Sequence, residues 1–136
     1  MKRTTRRSMM EATAVVALGA APAAAQSGPP RSKDLIFLSG IGGWYPERRP
    51  KAGDVREQTR DALTIMKASL EKAGSSMEKV LKVSVALVDP EANWEPMNEE
   101  YEKFFPKRKP ARSYWGATGF RRKGQLLQID CIASVE

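Results

Sequence analysis

An α+β fold, one sheet with two helices packed on a single face, is what this sequence predicts from three observations. A capped amphipathic helix is announced between Asp54 and Gly74. Residues 80–88 and 125–135 alternate apolar with polar side chains, the mark of strands covered on one side. Strand and helix signals follow one another in the order β-α-β-α-β-β, which argues for βαβ units with helices over one sheet face. With 136 residues, the chain suits a single domain.

Residues 1–26 read as an export signal rather than as part of that domain. A basic start, an apolar run over residues 12–21 and the small-residue exit Ala23-Ala24-Ala25 have the layout of a cleaved leader. Arg6-Arg7 directly before the apolar run points to the twin-arginine route and a periplasmic location; a Sec signal is the competing reading. The apolar run is shorter than the ~20 residues needed to span a bilayer, so no membrane partner is expected after cleavage. Removing the leader takes four of the 23 basic residues (Lys2, Arg3, Arg6, Arg7) and one of the 16 acidic ones (Glu11), leaving an excess of +4. That excess sits in the clusters Arg48-Arg49-Pro50-Lys51, Lys107-Arg108-Lys109 and Arg121-Arg122-Lys123, without the aromatic interleaving of a nucleic-acid face. Nucleic acid is therefore not expected as a partner, although such clusters can steer an anionic ligand.

Residues 27–33 are rich in Gly, Pro and Ser and read as a linker or edge segment before a domain over 34–136. Leu35-Ile36-Phe37-Leu38 is a short buried strand, stopped by Ser39-Gly40. Asp54 caps the first helix, with Glu57 three positions on and Gly74 at the far end. Val55, Thr59, Ala62, Leu63, Met66 and Leu70 form its apolar face, while Arg56, Gln58, Arg60 and Lys67 fall largely elsewhere. In the strand over 80–88, Leu81, Val83, Val85 and Leu87 form the covered face. A second helix begins near Asn93 and carries Trp94, Met97, Tyr101 and Phe104-Phe105, with Pro96 tolerated in its first turn. Two strands close the chain, 113–117 and 125–135. On the last, Leu127, Ile129, Cys131, Ala133 and Val135 face the core, leaving Leu126, Gln128, Asp130, Ile132 and Ser134 on the other side. That mixed face, with Lys82 and Ser84 beside it, invites a partner and predicts an oligomer.

The composition narrows the chemistry. The chain has no histidine, which removes the commonest general base, the usual metal ligand and any Ser-His-Asp nucleophile. A single cysteine, Cys131, excludes an intramolecular disulfide and reads as a small core residue rather than a nucleophile. No metal-ligand cluster is visible, and none is expected.

The stretches "DLIFLSG", "DVREQTRDALTIMKASLEKAGSSMEKVLKVSVALVD", "MNEEYEKFF", "PARS" and "LQIDCIA", in this order and spacing, resemble the Rid family, also called YjgF or L-PSP. The resemblance runs from Asp34 to Val135. It implies a chorismate-mutase-like fold and a homotrimer with pockets between subunits. It also implies hydrolysis of enamines and 2-imino acids to 2-keto acids and ammonia, without metal or organic cofactor. The family arginine of "PARS" falls on Arg112, where it would hold a substrate carboxylate; a planar guanidinium suits this because it makes two parallel charge-assisted bonds. Taken without the family, Arg112 reads as a candidate anion-binding arginine, with a surface salt bridge as the competing reading. Asn98 and Ser39-Gly40 match further pocket positions, although Asn98 reads equally as a helix-surface residue.

Three departures stand against full activity. Where active members carry the first glutamate of I-E-I-E, assigned to water activation, this chain has Gln128, and an amide cannot take a proton from water. The "GPYSQ"-like segment with its pocket tyrosine has no clear match, and Ile41 stands where many members have glutamine. Asp130 shares Gln128's strand face but lies about 7 Å farther along. Two functions are therefore expected to compete: a cofactor-free imine or enamine deaminase weakened at Gln128, and a periplasmic trimer that binds a small carboxylate or a protein without chemistry. RNA cleavage has little behind it, since neither a histidine pair nor a carboxylate-metal cluster is present.

Overall fold

The computed structural model describes residues 28–43 and 51–135. Residues 1–26, read above as an export leader, lie outside the described residues, as do Trp44-Tyr45 and the arginines of the first basic cluster. Among the described residues five strands form one sheet in the order β1-β2-β5-β3-β4. They are β1 (Arg31–Ser32), β2 (Leu35–Ile41), β3 (Val80–Val88), β4 (Ala111–Ala117) and β5 (Leu127–Ser134), with helices α1 (Val55–Lys72) and α2 (Pro90–Glu102) between them. Helices on one face of a single mixed sheet are the architecture the sequence predicts. β3 and β4 run parallel, joined through α2, while β5 is antiparallel to both β2 and β3.

α1 starts and stops where its residues say it should. Asp54 accepts a hydrogen bond from the Glu57 amide at 2.9 Å. At the other end Gly74 takes a positive φ of 89°, its amide bonds to the Glu71 carbonyl, and the Ser75 amide bonds to Leu70. This paired closure needs a residue without Cβ strain at the left-handed position. The apolar face of α1 lies on the alternate side chains Leu127, Ile129, Cys131 and Ala133 of β5 and on Val83, Val85 and Leu87 of β3, all buried.

Several expectations need correcting. The segment over 27–33 is not only a linker, since Arg31 and Ser32 pair with β2. β2 does not stop at Ser39-Gly40: it continues to Ile41 through a register shift, and its Phe37 is exposed. A similar irregularity between Val80 and Lys82 puts Val80, not Leu81, into the core. α2 begins at Pro90, whose missing N–H costs nothing at a first helical position, so Pro96 falls in the helix interior. Leu126 packs against the core rather than lying on the open face.

Two polar residues missed by the helical pattern tie the layers together. Gln58 is fully buried; its Nε2 donates to the Gly53 and Gly124 carbonyls, and its Oε1 accepts from the Leu126 amide. Glu100 on α2 is buried and reaches Arg60 of α1 at 3.3 Å and Lys103 at 3.2 Å. The hydrogen bond from Arg60, followed by Lys103, holds its carboxyl below the usual range against the opposing effect of burial.

Candidate functional site

Arg112 pairs in parallel register with Val83, which is fully buried beneath the helices. Register partners share a sheet face, so Arg112 also points to the helix side. There its guanidinium carbon lies 4.4 Å from the Tyr101 ring centroid and 4.9 Å from that of Trp94. Both aromatics belong to α2, with Asn98 between them at helical steps of four and three. Such cation–π contacts hold the guanidinium plane without occupying its N–H groups.

That leaves polar capacity unspent. Among the described residues, three buried side-chain polar atoms lack a hydrogen-bond partner: Arg112 Nη1, Asn98 Oδ1 and the Tyr101 hydroxyl. All three belong to the β4–α2 seam. Buried polar groups are normally paired, and each orphan calls for a reason. Burial pushes the Tyr101 hydroxyl up to about 12, with the Arg112 cation pulling the other way, so it stays protonated and available as a donor.

Gln128 sits on the opposite side of the sheet. Its register partner is Ala86, and its strand neighbours Leu127 and Ile129 are the ones turned into the core. It lines a concavity of about 520 Å³ with Gly40 and Gly42, closed by Phe120, Arg121 and Arg122 from the loop before β5. Gly40 adopts a left-handed φ of 69°, and its amide donates to Asp130 Oδ1 at 2.7 Å. Asp130 is thereby committed to the kink in β2. Ser39 lies in a smaller neighbouring hollow of about 240 Å³ with Lys82, Ser84 and Asp130. Lys82 donates to Ser113 on the same face at 2.6 Å.

The predicted site residues therefore fall into two groups within one chain. Arg112 and Asn98 share the helix side near β4, while Ser39, Gly40 and Gln128 share the β2–β5 side. Trp94 and Tyr101 were read only as apolar helix positions; the signal that could have found their role is their spacing around Asn98. Cys131 is buried, and burial, with Asp130 adding to it, raises its thiol to about 12, as suits a core residue rather than a nucleophile. Among the described residues no group of three or more His, Cys, Asp or Glu could hold a metal ion.

The family profile described as Endoribonuclease L-PSP matches residues 18–135, a span that begins inside the stretch read as a leader. The chain is 45% identical over 104 residues to a RutC family protein of Pyrococcus abyssi, covering 76% of this chain and 80% of that one. It is 33% identical over 106 residues to the chloroplastic Reactive Intermediate Deaminase A of Arabidopsis thaliana, covering 77% of this chain but only 56% of the plant protein's length. Its fold is similar to that of E. coli TdcF, solved with bound serine: TM-score 0.69, 28% identity, 80% of this chain and 90% of that one. With a profile match over most of its length and relatives of this similarity, the chain belongs to the L-PSP family, the Rid or YjgF family.

Proposed function

We propose that this protein binds small 2-keto, 2-imino or enamine carboxylates in pockets completed by a neighbouring copy in a homotrimer, and that its imine hydrolysis is weak. The observation that carries the reading is Arg112 Nη1, buried and unpartnered against Trp94 and Tyr101. A carboxylate satisfies that donor with a charge-assisted bond, and the neighbouring Tyr101 hydroxyl offers another. The division of the site supports a second copy, since one chain's Arg112 and Gln128 face opposite sides of its own sheet. The uncovered strand β4, with Tyr114 50% and Trp115 51% exposed, supports it too. The deaminase name of the plant relative and the serine bound to TdcF are consistent with the ligand class. Gln128 favours the second reading, a trimer that binds without chemistry, because an amide is no general base. Location in the periplasm is part of the proposal, supported by Arg6-Arg7 ahead of the apolar run.

Titration calorimetry with 2-oxobutyrate tests the clamp. Arg112→Ala is expected to bind about 100-fold more weakly, as befits loss of charge-assisted hydrogen bonds. Arg112→Lys should recover little, because a point charge cannot reproduce the two-pronged contact. Equal binding by Arg112→Ala and wild type would place the carboxylate elsewhere. Light scattering of the same samples should give the mass of three chains; a monomer at micromolar concentration would remove the shared pocket.

A further inference from the structure

The concavity beside Gln128 is lined mainly by polar and basic groups, together with the Phe120 ring. Arg121 and Arg122 bring two guanidinium groups and Gln128 an amide, and Gly40 and Gly42 leave the backbone bare of side chains, while Gln125 Nε2 is taken by the Leu127 carbonyl and the Gly40 amide by Asp130. Among the described residues no Asp or Glu lines it. Its size, about 520 Å³, suits a small metabolite rather than a macromolecule.

The loop that carries the arginines is held at its base. Fully buried Gln58 donates to the Gly124 carbonyl at 2.9 Å and accepts from the Leu126 amide at 2.8 Å. The Gln125 amide bonds to the Arg122 carbonyl, and Gln125 Nε2 bonds to the Leu127 carbonyl at 2.9 Å. The Val88 amide bonds to Leu126, joining the loop's end to β3. A basic loop anchored on a buried amide is a preorganised anion site, because less ordering remains to be done when the ligand arrives.

We infer that this concavity is a second anion subsite and that the ligands of the shared pocket are dicarboxylic 2-oxo or 2-imino acids. One carboxylate sits on Arg112 of one copy, and the distal carboxylate meets Arg121 and Arg122 beside Gln128 of the next. The inference rests on the shared pocket proposed above and deepens it by naming the substrate class. Neutral or apolar side chains gain nothing from two guanidinium groups, whereas a distal carboxylate gains charge-assisted hydrogen bonds.

The test compares two probes of equal carbon length, 2-oxopentanoate and 2-oxoglutarate, by titration calorimetry on the full chain at fixed ionic strength. Wild type is expected to bind the dicarboxylate about tenfold more tightly, allowing for solvent screening of exposed arginines. In the double variant Arg121→Ala/Arg122→Ala the ratio of the two affinities should fall to about one, with circular dichroism unchanged. Equal affinity for the two probes in wild type, with both lost in Arg112→Ala, overturns the second subsite and leaves the Arg112 clamp standing. A ratio that survives the double variant also overturns it, because the distal carboxylate is then held by other groups. Failure of wild type to bind either probe overturns both the subsite and the clamp.

Discussion

Gln128→Glu is expected to raise hydrolysis of 2-imino acids by about 10²- to 10⁴-fold, the range a positioned general base contributes. The position is prepared for a carboxylate in every respect but the side chain. It lies half-buried on β5, opens into the concavity beside Gly40 and Gly42, and has no competing acid among the described residues of the lining. Asp130 does not substitute in the wild-type chain, because its Oδ1 is bound to the Gly40 amide at 2.7 Å and the residue lies two positions farther along the strand. Cys131 does not either, being buried in the core with a thiol pushed up to about 12. Ammonia release from freshly generated imino acids, followed on wild type and variant side by side, measures the effect. Affinity for a monocarboxylate such as 2-oxobutyrate should change little, since its carboxylate clamp belongs to Arg112. A wild-type rate already equal to that of the variant would sink the idea and show that water is activated by another group.

Gln58→Leu is expected to lower stability by about 3 kcal/mol or more. Leucine is close to glutamine in size, so the substitution leaves no large cavity, and the loss isolates the polar contacts. Those contacts are the Gly53 carbonyl at 3.1 Å, the Gly124 carbonyl at 2.9 Å and the Leu126 amide at 2.8 Å. A buried polar group left unpaired costs roughly 1–3 kcal/mol, and three lose their partner at once. Relief by moving the loop is limited on one side, where a Cβ on Gly43 would already sit 1.8 Å from the Gln58 carbonyl oxygen. Urea midpoints compared at one protein concentration would show the loss, since assembly shifts apparent stability by mass action. Equal midpoints would mean that the two loops hold themselves.

The same residue shows where sequence reading ends. α1 was legible because its signals are local: Asp54, Glu57 and Gly74 act within a few positions of where they stand. β3 and β5 were legible because alternation is a property of neighbours. Gln58 reads as a solvent-facing polar residue, and nothing near it in sequence reveals partners at 124 and 126. The start of α2 was misplaced because Pro90 looks like a strand terminator and is also an ideal first helical residue. β2 was cut short because Ser39-Gly40 reads as a stop, whereas Asp130, ninety positions away, holds the Gly40 amide and lets the strand continue past the kink.

The candidate site divides in the same way. Gln128's side of the sheet followed from alternation in β5, which is strict. β4 gives no such guide, since "ARSYWGA" carries no clean apolar period, so the sequence placed Arg112 at the opening of a strand without saying which face it takes. Pairing with Val83 decides it, and a pairing between strands is not written in either one alone. The orphaned atoms on Asn98, Tyr101 and Arg112 became visible only once α2 was seated on β4.

The outer edge of β4 has a consequence for the life of the chain before it meets its partners. A terminal strand of seven residues with Tyr114 and Trp115 half exposed is a template on which any extended segment can add. Newly made chains present that template together, at the moment when none is yet covered. Charge and proline placed beside such a strand slow wrongful pairing. Here Lys107, Arg108, Lys109 and Pro110 stand immediately before it, and Arg121, Arg122 and Lys123 follow shortly after. The basic clusters stand where gatekeeper charges are placed beside an open edge, with Lys107 and Lys109 partly offset by Glu78 and Glu102. Neutralising them would be felt first as aggregation during synthesis, in chains whose finished fold is sound.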